Sequence, residues 1–131
     1  VKSGRKRNRQ SGKRKTYRDS GVETHGSIGD MKLLFISGPY RAETTAGVAQ
    51  NIKRAREASL RLWSPSTAVI CPHMNTAFMD GVQSDTVWLQ GDLEILARCD
   101  AIYMLKGWKS SFGSVAEHQL ADDLGLEVMY E

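Results

Sequence analysis

Cysteine is scarce in this chain: Cys71 and Cys99 are the only two in 131 residues, far apart and outside any CxxC pair. That spacing excludes a disulfide framework and a zinc ribbon. The three histidines, His25, His73 and His118, lack metal-ligand spacing such as HExxH, so no metal site is expected. No apolar run approaches the roughly 20 residues that cross a bilayer, and no apolar h-region follows the basic N-terminus. The expectation is a cytoplasmic chain with no membrane partner. GxGxxG and GxxxxGK[ST] are also missing, which removes the ordinary dinucleotide and P-loop readings.

The charge that is present is unevenly spread. Residues 1–30 hold nine Lys/Arg and three Asp/Glu, net +6, whereas residues 31–131 hold nine and twelve, net −3, which together give the overall +3. The first thirty residues are rich in Gly, Ser and like charge and almost devoid of apolar residues, too little to offset the entropy of ordering them. They are expected to form a disordered basic tail. Such an arm can bind nucleic acid through counterion release, but Tyr17 is its sole aromatic and no nucleic-acid motif accompanies it. The reading adopted is a solvated extension, with one domain of modest core over residues 31–131.

From Met31 onward the apolar period changes repeatedly. Lys32 to Ser37 (KLLFIS) reads as a buried strand that runs into a Gly38-Pro39 turn. Val48, Ile52, Ala55, Ala58 and Leu62 form an amphipathic helical stripe, ended by Ser64-Pro65-Ser66. Thr67 to Cys71 is a second strand, and residues 72–85 form a loop with room for a helical turn. A helix over Thr86–Arg98, a strand over Asp100–Leu105, a loop over 107–113, a helix over Ser114–Leu124 and a strand over Leu126–Tyr130 complete the chain.

Strands that are apolar throughout, alternating with helices, predict a Rossmann-like (flavodoxin-like) α/β fold. Its parallel sheet has about four to five strands, helices on both faces and right-handed crossovers. Ligands of such folds bind at the carboxyl ends of the strands. Three stretches gather there: Ser37 to Glu43, Pro72 to Asp85, and Lys106 to Glu117. In the first, a small Gly loop lets backbone N–H groups approach a ligand, and Arg41 suits a phosphate or carboxylate. In the third, Ser114-Val-Ala-Glu117 matches the capping box in text, with Ser114 as cap and Glu117 folding back. Glu117 equally faces the cleft from one turn inside the helix. Asp92 falls inside the arc of Trp88, Leu93, Ile95 and Leu96, a setting that desolvates a carboxylate and raises its pKa. Asp100 reads as a turn residue, Asp80 and Asp85 as loop or cap residues. Two carboxylates reaching one cleft suit nucleophile and acid roles at a glycosidic carbon.

The combination ISGPY, GDLEILARCDAIYML and GWKSSFGSVAEHQLADDLGLEVMY resembles the nucleoside 2-deoxyribosyltransferase-like superfamily over about residues 31–131. It is especially similar to a small subgroup with PHMNT and GW-S-x-G elements. Its most specific part is S-x-G-x-x-x-E, present as Ser111, Gly113 and Glu117, with Asp92 as the upstream aspartate. The resemblance implies cleavage or transfer of the N-glycosidic bond of a nucleoside or nucleoside 5′-monophosphate. It implies no cofactor. Glu117 would be the nucleophile, Asp92 the proton donor to the departing base, and Tyr40 a group that contacts the sugar or orients Glu117. Ser37, Gly38, Pro39, Arg41, Asn75, Ser111, Gly113 and Ser114 would line the substrate site, with Ser111, Gly38 and Arg41 at the phosphate and Trp108 stacking on the base. The resemblance also implies a homo-oligomer whose neighbours complete each other's clefts. A non-catalytic nucleotide-sensing domain of the same fold is the alternative reading.

Overall fold

The computed structural model describes residues 28–131. Most of the basic tail, residues 1–27, and with it the expectation of disorder there, lies outside the described residues. Nine elements follow in the order β1 (Lys32–Ser37), α1 (Thr45–Leu62), β2 (Thr67–Ile70), α2 (Pro72–Asn75), α3 (Asp85–Leu96), β3 (Ala101–Met104), a 3-10 turn (Trp108–Ser110), α4 (Phe112–Asp123) and β4 (Glu127–Tyr130). The four strands form one sheet in the order β2-β1-β3-β4. All three pairings are parallel, with Leu34 opposite Val69 and Phe35 opposite Ile102. This is the expected α/β fold, with four strands.

Strand alternation sorts the core into two layers. Phe35, Ile102 and Met104 pack with Leu96 of α3 and Ala121 of α4 on one face. Ile36, Val69 and Leu105 pack with Ala55 and Ala58 of α1 on the other. Both faces of the sheet are thus covered, which explains why its strands carry no polar stripe. Each fully buried Phe, Ile or Leu contributes about 1.5–3 kcal/mol through removal from water. Among the described residues no helix is long and apolar enough to cross a membrane.

The local chemistry of the ends is specific. Thr44 caps α1 by accepting from Gly47 N, and Ser84 caps α3 by accepting from Val87 N. Pro72 opens α2, where its missing N–H is no loss, so the first four residues of the expected 72–85 loop are helical. Asp100 turns the chain into β3 and its Oδ2 accepts from Leu33 N at 2.8 Å.

One boundary departs from the sequence reading. The last helix starts at Phe112, two residues before Ser114, and its cap is Ser111, whose hydroxyl accepts from Ser114 N at 3.3 Å. The capping box at Ser114 and Glu117 therefore does not form. The 3-10 turn Trp108–Ser110 feeds directly into α4 and sets the helix start earlier.

β1 is the topological switch point. The chain leaves it to build β2 on one side and then β3 on the other, which opens a crevice beyond the carboxyl ends of β1 and β3.

Candidate active site

That crevice is a cleft of about 910 Å³, within the range of roughly 300–1,000 Å³ common for small-molecule sites. The loop after β1 forms its floor. Gly38 is required there by close approach, because a Cβ at this position would stand 2.7 Å from Leu105 Cβ and Cδ1 at the end of β3. Three groups hold the loop. Asn51 of α1 donates to the carbonyl oxygens of Tyr40 and Arg41 at 3.0 and 3.3 Å. His73 Nε2 lies 2.9 Å from Pro39 O, and since a carbonyl oxygen only accepts, Nε2 carries the proton. Burial lowers the pKa of His73, which favours the neutral ring. The Tyr40 hydroxyl donates to Asp80 Oδ1 at 2.8 Å and accepts from Phe78 N at 3.0 Å, which pins the 76–80 segment to the floor.

The wall opposite is α3 and the first turns of α4, and it carries the two carboxyls. Glu117 is 7% exposed. Its Oε1 accepts from Ser37 Oγ at 2.7 Å, a bond between buried groups at the end of β1 and the second turn of α4. Burial, and then the nearby charge of Asp92, push Glu117 up to about 8 against the lowering effect of the Ser37 hydrogen bond. Asp92 lines the same cleft from α3, has no hydrogen-bond partner among the described residues, and is raised by burial to about 6. The charge of Asp92 adds to the rise at Glu117, whereas burial alone raises Asp92, and the higher value belongs to the deeper group.

Several site residues expected from the sequence line this cleft: Gly38, Pro39, Tyr40, Arg41, Asp92, Ser111, Gly113, Ser114 and Glu117. Ser37 lies beneath them, 1% exposed, with its hydroxyl on Glu117. Arg41 pairs with Asp85 at the rim. Two expected residues are elsewhere. Trp108 stacks on His118 at 4.3 Å and lines a separate depression of about 460 Å³ with Met104 and Tyr130, on the β4 side of the sheet edge. Asn75 is exposed at the end of α2 and does not line the cleft. The orienting partner of Glu117 is Ser37 and not Tyr40, whose hydroxyl is spent on Asp80 and Phe78.

Sequence reasoning missed three parts of this arrangement: His73 as the brace of Pro39, Asp80 as the anchor of Tyr40, and Ser37 as the donor to Glu117. A signal for the last was present. Ser37 ends an otherwise apolar run on what becomes a central strand, and a buried hydroxyl there requires a partner. Among the described residues no group of three or more His, Cys, Asp and Glu is placed to hold a metal ion.

The fold is shared with solved structures at low identity. A 2-desoxiribosyltransferase from Leishmania mexicana is 16% identical with a TM-score of 0.53, over 76% of this chain and 63% of that one. A conserved protein from Enterococcus faecalis V583 is 18% identical with a TM-score of 0.59, over 76% and 62%. A 2-deoxyribosyltransferase from Bacillus psychrosaccharolyticus is 18% identical with a TM-score of 0.53, over 75% and 70%. The chain thus spans just under two thirds of the first two structures. No curated protein matches its sequence. Residues 33–130 match the family described as a domain of unknown function (DUF4406), and the chain belongs to that family.

Proposed function

We propose that the protein cleaves or transfers the N-glycosidic bond of a nucleoside or nucleoside 5′-monophosphate, with Glu117 as nucleophile and Asp92 as acid. The observation that carries this reading is the pair itself: two desolvated carboxyls facing one cleft, the deeper one held by Ser37. The likeness in fold to two deoxyribosyltransferases supports it.

The chemistry follows from the proton count. With values of about 6 and 8, the pair carries one proton between them near neutral pH and titrates as a unit. Between these values the shared proton sits mainly on Glu117, and the reactive form is the less populated tautomer, with Glu117 ionised and Asp92 protonated. Positive charge that develops at C1′ as the bond to the base lengthens favours an ionised Glu117 beside it. A Glu117 oxygen bonds to C1′, the electrons of the C1′–N bond leave with the base, and the base takes the Asp92 proton. Water or a second base then attacks C1′, gives its proton to Asp92 and frees Glu117. Ser37 keeps Glu117 in a single orientation throughout.

A homo-oligomer belongs to the same proposal. Phe112 lines the cleft and is 84% exposed, and Phe78 and Val82 are exposed on the segment that carries Asp80. Burying them against a second copy would narrow the mouth and exclude water from the pair.

The test is incubation with a panel of nucleosides and nucleoside monophosphates, with free base measured by chromatography. Release by the native protein and its loss in Glu117→Gln are expected. Binding without release would favour the sensing alternative.

A further inference from the structure

Among the described residues Ser114 Oγ is the one fully buried side-chain polar atom without a hydrogen-bond partner. Ser114 is 1% exposed, sits in the first turn of the twelve-residue helix α4 and belongs to the lining of the cleft. A buried hydroxyl left unpaired is destabilising, so its retention at a cleft wall calls for a partner that the protein alone does not supply. The neighbouring hydroxyls are committed elsewhere: Ser111 Oγ caps α4, Ser110 Oγ donates to Gly107 O at 2.8 Å, and Ser37 Oγ donates to Glu117.

Position narrows the partner. Ser114 and Glu117 are three residues apart on one helix, hence on the same face. They are separated by about 4.5 Å along the axis, the scale of a furanose ring. A sugar whose C1′ lies at the Glu117 carboxyl therefore brings a ring hydroxyl to Ser114. The surroundings favour a neutral group over an anion. Asp80, Asp85, Asp92 and Glu117 all line the cleft, while the one Arg or Lys in that lining, Arg41, is already paired with Asp85. A hydroxyl can both give and take a hydrogen bond, which matches a serine.

We propose that Ser114 is the specificity-determining contact for one hydroxyl of the sugar bound over Glu117. This inference rests on the nucleoside reading of the site, and it adds which atom of the chain reads the sugar and that the group read is uncharged. It assigns Ser114 a ligand-dependent bond and Ser37 a permanent one.

Calorimetric titration of the native protein and of Ser114→Ala tests it. The ligands are a ribonucleoside, its 2′-, 3′- and 5′-deoxy analogues, and its 5′-monophosphate, with thermal unfolding of both proteins measured without ligand. The expected result has two parts. Removing one particular sugar hydroxyl weakens binding to the native protein about tenfold, and that sensitivity disappears in Ser114→Ala. Without ligand, Ser114→Ala melts at the same temperature as the native protein or higher, because no bond inside the protein is lost. A lower melting temperature would mean that the hydroxyl is already satisfied within the fold, and would overturn the proposal. Loss in Ser114→Ala confined to the monophosphate would overturn it in favour of a phosphate contact. Equal binding of every sugar analogue by both proteins would overturn it while leaving the nucleoside reading intact. No binding of any ligand by the native protein would overturn both.

Discussion

The hydroxyl of Ser37 donates at 2.7 Å to the carboxyl of Glu117, eighty residues further along the chain, and the bond is buried where β1 meets α4. It gives a buried side chain that would otherwise rotate one fixed direction. It also favours the ionised form and so opposes the effect of burial. Ser37→Ala is expected to raise the pKa of Glu117 further and to lower the rate of base release more than the affinity for substrate. Carboxyl titration followed by NMR, together with kcat and KM, reads both effects.

Tyr40→Phe gives the contrasting result. The variant loses the bonds to Asp80 and Phe78 N but no bond to Glu117. The titration of Glu117 is expected to stay as in the native protein, while amide exchange of Phe78 and its neighbours speeds up and stability falls by about 1 kcal/mol. A shift in the Glu117 titration would show that Tyr40 orients the carboxyl after all.

Burial of Glu117 makes stability depend on pH. Folding raises its pKa from 4.5 to about 8, so over that interval the folded chain holds a proton that the unfolded chain releases. Stability therefore falls as pH rises from about 4.5 to 8 and levels off above. Glu117→Gln keeps an oxygen to accept from Ser37 and removes the charge, so this variant is expected to be the more stable protein at pH 8–9 by a few kcal/mol. Urea denaturation of both proteins at pH 5 and pH 9 checks the difference.

The rate of base release is expected to be bell-shaped in pH, with limbs near 6 and 8 and a maximum near neutrality. Below the first limb both carboxyls are protonated and no nucleophile remains. Above the second both are ionised and no acid remains. Asp92→Asn should flatten the alkaline limb for substrates whose base leaves without a proton.

Close packing at the cleft floor gives a fifth expectation. A methyl on Gly38 meets Leu105 Cβ and Cδ1 at 2.7 Å, and the backbone at the end of β1 must move to accommodate it. Gly38→Ala should cost about 1–3 kcal/mol in unfolding free energy and displace Ser37 from Glu117, with loss of turnover.

What the sequence disclosed and what it concealed divide by range. The strands over KLLFIS and TAVIC and the stripe from Val48 to Leu62 were legible because apolar period is a local signal, and an apolar strand on a parallel sheet carries it undiluted. The desolvation of Asp92 was legible for the same reason, from its place in an apolar arc on α3. The start of α4 was not. Ser111 and Ser114 are both competent caps by text, and the choice between them falls to the 3-10 turn that precedes Ser111. Glu117 then found Ser37 instead of its own helix amides, a pairing across eighty residues that no spacing records. Trp108 was misplaced because the direction of an aromatic on a strand-end loop is decided by what it can stack on, here His118 ten residues later.

The most direct measurement of the central claim is mass spectrometry of the protein quenched during turnover with a nucleoside or nucleoside monophosphate. The account predicts one added glycosyl group, carried by the peptide that contains Glu117, and its absence from Glu117→Gln. Release of base by Glu117→Gln at the native rate, or a glycosyl group on any other residue, would contradict it.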